Sequence, residues 1–241
     1  MVRASTREGV ATLGLDRPEK GNALSVELVA ALHAAIDAAV ADTTVHTLVL
    51  AGSGSHFCTG FDLSSLDTET DATLADRFIA LEKLLQALWH APLRTIALAQ
   101  GRTWGAGADI FASCDIRVAN EDATFRFPGS AFGIVLGTRR LVEAIGWDIA
   151  RPFVTEGAAC DAGYALQCGL ATRVGIASWL EEQASTPVVD RETFAAIRRV
   201  ARGDHCEEDL ASLTSSARRP GLKQRIVDYR AGLKKAPKTP L

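Results

Sequence analysis

Three glycines, Gly101, Gly105 and Gly107, stand close together where a predicted strand gives way to a predicted helix. A turn of this kind directs backbone N–H groups toward whatever lies above the helix N-terminus. Glycine also allows a ligand carbonyl to come within about 3 Å of such an N–H, because no Cβ obstructs the approach. These residues therefore predict a backbone site that stabilises a negatively charged oxygen.

One carboxylate, Asp109, follows this cluster within the apolar segment 108–112. Burial among apolar neighbours raises the pKa of a carboxyl group toward the range in which it exchanges protons near neutral pH. Asp109 is therefore the candidate general acid or base. The alternative is a structural role, in which Asp109 caps a helix or pairs with an arginine such as Arg102.

Several common functional motifs are missing from the sequence. The glycine spacing does not match G-x-G-x-x-G, and neither a P-loop nor a G-x-S-x-G nucleophile motif occurs. The five histidines have no metal-ligand spacing, and the five cysteines form no C-x-x-C pair. The sequence thus disfavours a nucleotide-binding protein, a serine hydrolase and a zinc protein, and it predicts reduced thiols.

The elements that must position these residues alternate between short β-branched runs and long alanine-rich stretches with helical periodicity. This pattern is typical of helices that cover a mostly parallel sheet, and it predicts an α/β fold. Ser25 is the predicted N-cap of the first long helix. The predicted strands are 9–15, 47–51, 94–99 and 115–119, and the predicted helices are 26–41 and 73–88.

The composition of the chain limits its class and its partners. With 241 residues, 47% hydrophobic and 23% charged, the chain can bury a full core. Its formal charge of -3 provides no positive field for nucleic acid. No apolar run reaches the roughly 18 to 20 residues of a membrane span. We expect a soluble, cytoplasmic protein that binds neither nucleic acid nor a membrane.

The pattern of the chain changes towards its C-terminal end. After residue 174 the strand signals stop, and from about residue 192 the sequence is helical in pattern and rich in charge. We predict a core over residues 1–190 and a C-terminal helical segment over residues 191–241.

Five segments match one protein family in order and with suitable spacing. In this combination the sequence resembles the enoyl-CoA hydratase/isomerase (crotonase) superfamily, strongly over residues 8–175 and weakly beyond. The resemblance implies a spiral of ββα units and acyl-CoA thioester substrates, as in fatty acid metabolism. It also implies a homotrimer or homohexamer held partly by the C-terminal helices. The matching segments are RPEKGNALS (17–25), SHFCTGFDL (55–63), GRTWGAG (101–107), SCDIRVA (113–119) and DAGYALQCGL (161–170).

The resemblance also implies roles for individual residues. The backbone N–H groups of Phe61 and Ala106 match the two donors that stabilise a thioester enolate, and Asp109 matches a catalytic carboxylate. Coenzyme A enters as part of the substrate, and no separate cofactor or metal is implied. The residues that match the family's CoA-binding segments are Lys20, Asn22, Ala23, Leu24, Cys58, Gly60, Asp62 and Leu63.

The sequence departs from the family pattern at its carboxylates. Hydratases of this family place one glutamate after the glycine cluster and another about twenty residues on, whereas this chain has Asp109 and Gly129 there. The segment 133–140 is also two residues shorter than usual. Two hypotheses follow: a lyase or isomerase that uses one carboxylate, or an acyl-CoA-binding protein with little or no catalysis and a regulatory or scaffolding role.

Overall fold

The computed structural model describes residues 1–177 and 189–235, in which short strands alternate with helices. Single 3₁₀ turns occur at Pro18–Lys20 and Pro128–Phe132. The predicted α/β class is confirmed. The strands are β1 (Val2–Arg7), β2 (Val10–Leu15), β3 (Thr47–Gly52), β4 (Arg94–Ala99), β5 (Arg102–Trp104), β6 (Ile116–Ala119), β7 (Thr124–Arg126), β8 (Ala159–Asp161) and β9 (Arg173–Val174).

Two long helices come first in the chain, and the described helices after them are shorter. None of the described helices combines the length and the apolar composition that a membrane span requires. The helices are α1 (Val26–Ala41), α2 (Asp71–His90), α3 (Ala106–Ala112), α4 (Thr138–Ile145), α5 (Trp147–Thr155), α6 (Ala162–Gln167), α7 (Arg191–Arg202), α8 (Cys206–Ala217) and α9 (Leu222–Lys235).

A sheet with strand order β1-β2-β3-β4-β6-β9 forms the centre of the fold. Strand β1 runs antiparallel to β2, and the other neighbours are parallel. Strand β2 buries alternate residues, Ala11, Leu13 and Leu15, so one of its faces belongs to the core. Strand β3 is buried over its first four residues, as expected for a parallel strand covered on both faces.

A second, smaller sheet has the order β5-β7-β8. Along the chain, a strand of the central sheet is followed by a strand of the small sheet and then by a helix. This order occurs as β4, β5 and α3, and again as β6, β7 and α4. The same order of two strands and a helix occurs after β3, where a one-residue bridge between Cys58 and Thr103 stands for the second strand and α2 follows. The chain therefore winds as repeated ββα units, which confirms the predicted spiral.

Local sequence signals fix the two long helices. The Ser25 side chain accepts a hydrogen bond from Leu28 N (3.2 Å), which confirms Ser25 as the N-cap of α1. Helix α2 starts at Asp71, two residues before the prediction, because Thr70 and Thr73 form a capping box. Both helices bury one apolar face, since their leucines recur at helical spacing.

Besides β9, which has only two residues, four strands are absent from the sequence-based prediction. Strand β1 pairs along the edge of the central sheet with five of its six residues exposed, so it lacks the alternation that marks a half-buried strand. Strands β5, β7 and β8 have only three residues each, too few to show a period.

The C-terminal helices pack on the core through buried arginines. Arg198 of α7 donates hydrogen bonds to Leu93 O (2.5 Å) and to the Asp115 carboxylate (3.0 Å). The predicted boundary at residue 190 follows residues 178–188, which lie outside the described part of the chain, as do residues 236–241. The division into a core and an oligomerisation segment therefore stays a prediction.

Gly107→Ala should destabilise the fold, because a Cβ at this position would lie 2.7 Å from the Cys58 Cβ. Overpacking of this kind costs about 1–3 kcal/mol of unfolding free energy. Gly163→Ala is the matched control: it is an exposed helical glycine whose Cβ would meet nothing closer than Asp161 Oδ1 at 3.5 Å. Urea denaturation should show the control neutral or stabilised by up to about 1 kcal/mol. Equal effects of the two variants would contradict the close packing at Gly107.

Candidate active site

A cavity of about 370 Å³ lies between α2, α3, the 3₁₀ turn at Pro128–Phe132 and α9. Its wall is mainly apolar and aromatic, with Phe78, Phe127, Phe132 and Tyr229 among the lining residues. Asp109 is the only acidic or basic side chain of the described residues that lines it. The cavity is thus suited to an apolar group that reaches one carboxyl.

Two backbone hydrogen bonds flank Phe61 in the loop that follows β3. Leu24 N donates to Gly60 O (2.8 Å) and Asp62 N donates to Leu24 O (3.2 Å), which is a parallel bridge around Phe61. In such a bridge the middle residue turns its own N–H and C=O away from the pairing strand. Within residues 1–177 and 189–235 the Phe61 N–H has no backbone acceptor.

The second candidate donor, Ala106, is the first residue of α3. The first backbone bond of this helix runs from Asp109 N to Gly105 O (3.0 Å), so the N–H of Ala106 has no intrahelical acceptor. The two donor loops are adjacent: a Cβ on Gly60 would lie 2.7 Å from Trp104 O and 3.5 Å from Gly105 Cα. The structure therefore brings both predicted donors, Phe61 and Ala106, to the wall of one cavity.

Helix α2 holds the Phe61 side chain and the backbone that follows it. The Phe61 ring stacks on Phe78 with centroids 4.4 Å apart, and the Arg77 guanidinium lies 4.0 Å from the Phe61 centroid. Arg77 Nη2 also donates to Asp62 O (2.8 Å), and Arg77 Nη1 donates to Glu69 (2.7 Å). These contacts hold the Phe61 ring and the Asp62 carbonyl against α2.

Asp109 is buried in α3 and its carboxyl lies in the cavity wall. Burial raises the pKa of this carboxyl well above its usual value of 3.8; the Arg140 charge opposes the rise and the Glu82 charge adds to it. Once ionised, a carboxyl with a raised pKa is a stronger base than an ordinary aspartate.

In the described residues, Asp109 neither caps α3 nor pairs with Arg102, the two forms of the structural alternative that can be compared directly. Helix α3 begins at the N-cap Gly105 without a side-chain hydrogen bond, so Asp109 does not cap it. Arg102 is exposed, and its guanidinium lies 4.9 Å from the Trp104 ring centroid instead of pairing with Asp109.

Gly137 lies directly beside the Asp109 carboxyl and limits the space around it. A Cβ on Gly137 would lie 2.7 Å from the Asp109 Cγ and closer still to Oδ1, and the φ of +65° also favours glycine. Gly137 is the N-cap of α4 and belongs to the shortened segment 133–140. The shorter segment and the shorter carboxylate therefore fit together, because the backbone of Gly137 occupies the space beside the carboxyl.

Two of the predicted CoA-binding side chains are bonded within the protein. The Asn22 amide accepts from Arg17 N (2.9 Å) and donates to Ser53 O (2.9 Å) and His56 O (2.7 Å). Although burial acts to raise the pKa of Asp62, hydrogen bonds from Ser64 and Arg17 keep it below its usual value. Both side chains join neighbouring loops, so any contact of Asn22 or Asp62 with CoA is left to the backbone of these two residues.

The other predicted CoA-binding residues surround the same loops. Gly60 and Leu63 line the cavity, and Leu24 lines a neighbouring groove of about 330 Å³. Lys20 is exposed, and the Ala23 carbonyl accepts from Arg17 Nη1 (2.7 Å). Burial raises the pKa of the Cys58 thiol to about 12, so this thiol is a packing group. The roles of these residues in CoA binding stay predictions.

Three potential metal ligands that are distant in sequence lie together outside the cavity. One ligand atom from each of His90, Asp204 and Cys206 lies within 4.8 Å of the others. Burial lowers the pKa of His90, the Asp204 charge opposes this, and the charges of Arg140, Arg198 and Arg202 lower the pKa further. The same positive charges would repel a cation, so we assign no metal to this cluster.

Comparisons with known proteins point to one family. The sequence pattern described as Enoyl-CoA hydratase/isomerase matches residues 5–190. A Mycobacterium leprae protein named as a probable enoyl-CoA hydratase is 38% identical over 73% of this chain and 71% of its own. The 2,3-dehydroadipyl-CoA hydratase of Escherichia coli is 35% identical over 70% of this chain and 67% of its own. A crystal structure from Bordetella parapertussis, described as an enoyl-CoA hydratase/isomerase, superposes with a TM-score of 0.91, at 41% identity over 95% of this chain and 98% of that one.

Asp109→Asn should stabilise the folded protein increasingly as the pH rises from 5 to 8. A carboxyl whose pKa is raised in the folded state destabilises that state once the pH exceeds the unfolded value of about 3.9, and the loss grows until the folded pKa is passed. The amide variant lacks this loss. Urea denaturation should show its advantage over the parent to be larger at the higher pH. An advantage independent of pH would contradict the raised pKa of Asp109.

Proposed function

The chain belongs to the enoyl-CoA hydratase/isomerase family, and from this membership we propose that it catalyses enolate chemistry on an acyl-CoA thioester with Asp109 as its single acid/base. The observation that carries the proposal is the shared cavity wall, where one buried carboxyl stands with two backbone N–H donors, those of Phe61 and Ala106. Coenzyme A enters as part of the substrate, and its acyl group occupies the apolar cavity.

The two backbone donors stabilise the charge that develops in the reaction. When the thioester oxygen lies between the N–H groups of Phe61 and Ala106, each donates a hydrogen bond that strengthens as the enolate forms. Preorganised donors of this kind contribute about 3–4 kcal/mol each to transition-state stabilisation. The Phe61 donor is rigid because Phe78 and Arg77 fix its loop.

Asp109 moves the proton. As a carboxylate it takes a proton from the carbon next to the thioester carbonyl, and the electron pair of that C–H bond delocalises onto the thioester oxygen. As a carboxylic acid it returns the proton to a carbon further along the acyl chain of the substrate. The double bond therefore moves, while the atoms and the total charge are unchanged. Because a base must be ionised, turnover should rise as the pH passes through the raised pKa of Asp109.

The single carboxylate favours isomerisation over hydration. Hydration requires one group to hold and deprotonate water while a proton reaches the α-carbon, which two carboxylates do more easily than one. Gly129 lines the cavity and offers no side chain for this purpose. The names of the Mycobacterium leprae and Escherichia coli relatives support hydration as the second candidate activity.

Binding without turnover is the alternative function, and the missing carboxylate at Gly129 supports it. Turnover and binding measured against the same panel of acyl-CoAs separate the two. An enzyme converts at least one member of the panel, whereas a binding protein holds several and converts none.

We also propose a cytoplasmic protein that assembles as a homotrimer or homohexamer. Trp147, Tyr164 and Leu166 are large hydrophobic residues that are each about half exposed in one chain, and burial between subunits would remove them from water. Light scattering tests the assembly, and a monomer at micromolar concentration would contradict it.

Asp109→Asn should abolish turnover while acyl-CoA affinity stays within a few-fold of the parent. An amide cannot accept the proton, and loss of a general base costs about 10² to 10⁴ in rate. Asp148→Asn, at an exposed aspartate of α5, is the matched control and should keep full activity. An Asp109→Asn variant as active as the parent would place the base elsewhere.

Gly129→Glu should raise the hydration of crotonyl-CoA at least tenfold, because it returns a second carboxylate to the cavity. The position has limited space, since a Cβ would lie 3.2 Å from Ile134 O. Gly129→Gln has the same shape without the charge and should show no gain. A Glu variant that folds and binds acyl-CoA without any gain would show that the cavity is shaped for another reaction. Asp109→Glu should not help further, because the Gly137 backbone occupies the required space.

A further inference from the structure

A buried ion pair joins α2 to α4 behind the cavity. Arg140 binds Glu82 through both terminal guanidinium nitrogens, with Nη2 to Oε1 at 2.6 Å and Nη1 to Oε2 at 3.1 Å. The two side chains are only 3% and 1% exposed. Taking two charges out of water is costly, and a well-packed apolar pair is often as stable. A contribution to stability therefore does not by itself account for the presence of this ion pair.

The location of the pair connects it to Asp109. Arg140 is the third residue of α4, and the N-cap of that helix, Gly137, packs directly on the Asp109 carboxyl. Glu82 is fixed in turn by Gln86, whose Nε2 donates to Glu82 Oε1 (3.0 Å) and to Cys206 O (2.8 Å). The ion pair thus holds the first turn of α4 against α2 with Gly137 on the carboxyl.

Two charged groups act on Asp109, and they are the two members of this pair. Arg140 favours the ionised carboxyl and Glu82 disfavours it. Arg139, the preceding residue of α4, faces Asp209 instead (2.8 Å), and Arg77 of α2 lies over Phe61. The remaining charged residues on the elements that pack against α3 have no resolved effect on Asp109: Arg94 on β4, Arg102 on β5, Asp71, Asp76 and Lys83 on α2, and Glu143 on α4.

We propose that Glu82 and Arg140 are positioning residues for Asp109: their ion pair fixes the turn on which the carboxyl rests and balances the charge that the carboxyl faces. The inference rests on the proposed function, in which Asp109 is the base. With both members present, Arg140 offsets part of the rise that burial causes in the Asp109 pKa, and Glu82 opposes Arg140 by adding to that rise. The charges of the pair therefore largely balance each other at Asp109.

Titration of the Asp109 carboxyl carbon by ¹³C NMR tests the proposal in the free protein. The Asp109 resonance is identified by its absence from Asp109→Asn. Glu82→Gln should lower the titration midpoint by roughly one pH unit, and Arg140→Met should raise it by a similar amount. The midpoint of the pH profile of kcat/KM should move in the same directions. Asp209→Asn, which breaks the neighbouring Arg139 pair, is the matched control and should leave the midpoint unchanged.

The double variant Glu82→Gln/Arg140→Met keeps the test decisive if Arg140→Met alone does not fold. It leaves no unpaired buried charge, and its midpoint should lie above that of Glu82→Gln. Coincident midpoints for all the variants, with Asp109→Asn inactive, would overturn the positioning role and leave the proposed function intact. An active Asp109→Asn would overturn the proposed function, and the NMR shifts would then report charge coupling alone.

Discussion

The fold depends on the close approach of two backbone segments, the loop after β3 and the turn that enters α3. A Cβ on Gly107 would overlap Cys58, and one on Gly60 would lie 2.7 Å from Trp104 O. The Cys58–Thr103 bridge joins the same segments. Because the segments touch backbone to backbone, Phe61 and Ala106 line one cavity, and their N–H groups have no backbone acceptor among the described residues. Side chains of ordinary size at these glycines would separate the donors and remove the site.

The buried carboxyl that gives the cavity its chemistry lowers the stability of the folded protein. A carboxyl buried in an apolar wall destabilises the folded state near neutral pH, and Asp109 has no side-chain hydrogen bond within the described residues to offset this. The nearest compensation is the Glu82–Arg140 pair, which is itself expensive to bury. This arrangement is typical of sites whose charges serve proton transfer, since a purely structural core would replace all three groups by apolar residues.

The sequence predicted the elements that carry strong local signals. The N-cap Ser25, helix α1 and the buried parallel strands followed from capping and periodicity, and the donor loops and Asp109 followed from glycine spacing and from the family resemblance. Contacts between distant segments were not predictable. The Glu82–Arg140 pair joins residues 58 positions apart, and the packing of Gly137 on Asp109 depends on how a shortened loop closes. Neither contact leaves a periodic pattern or a motif in the sequence, because each forms between segments that meet only after the chain has folded.

The most direct test of the account is calorimetric binding of a non-hydrolysable acyl-CoA and of CoA alone to the parent, Ala106→Pro and Ala106→Gly. Proline suits the first position of a helix, so at Ala106 it deletes one N–H and leaves α3 able to form. The account predicts that the parent and Ala106→Gly bind acyl-CoA more tightly than CoA, and that Ala106→Pro loses about tenfold or more of that preference while its affinity for CoA is unchanged. An undiminished preference in Ala106→Pro, or no acyl-CoA binding by the parent at millimolar concentration, would contradict the backbone donors as the centre of the site.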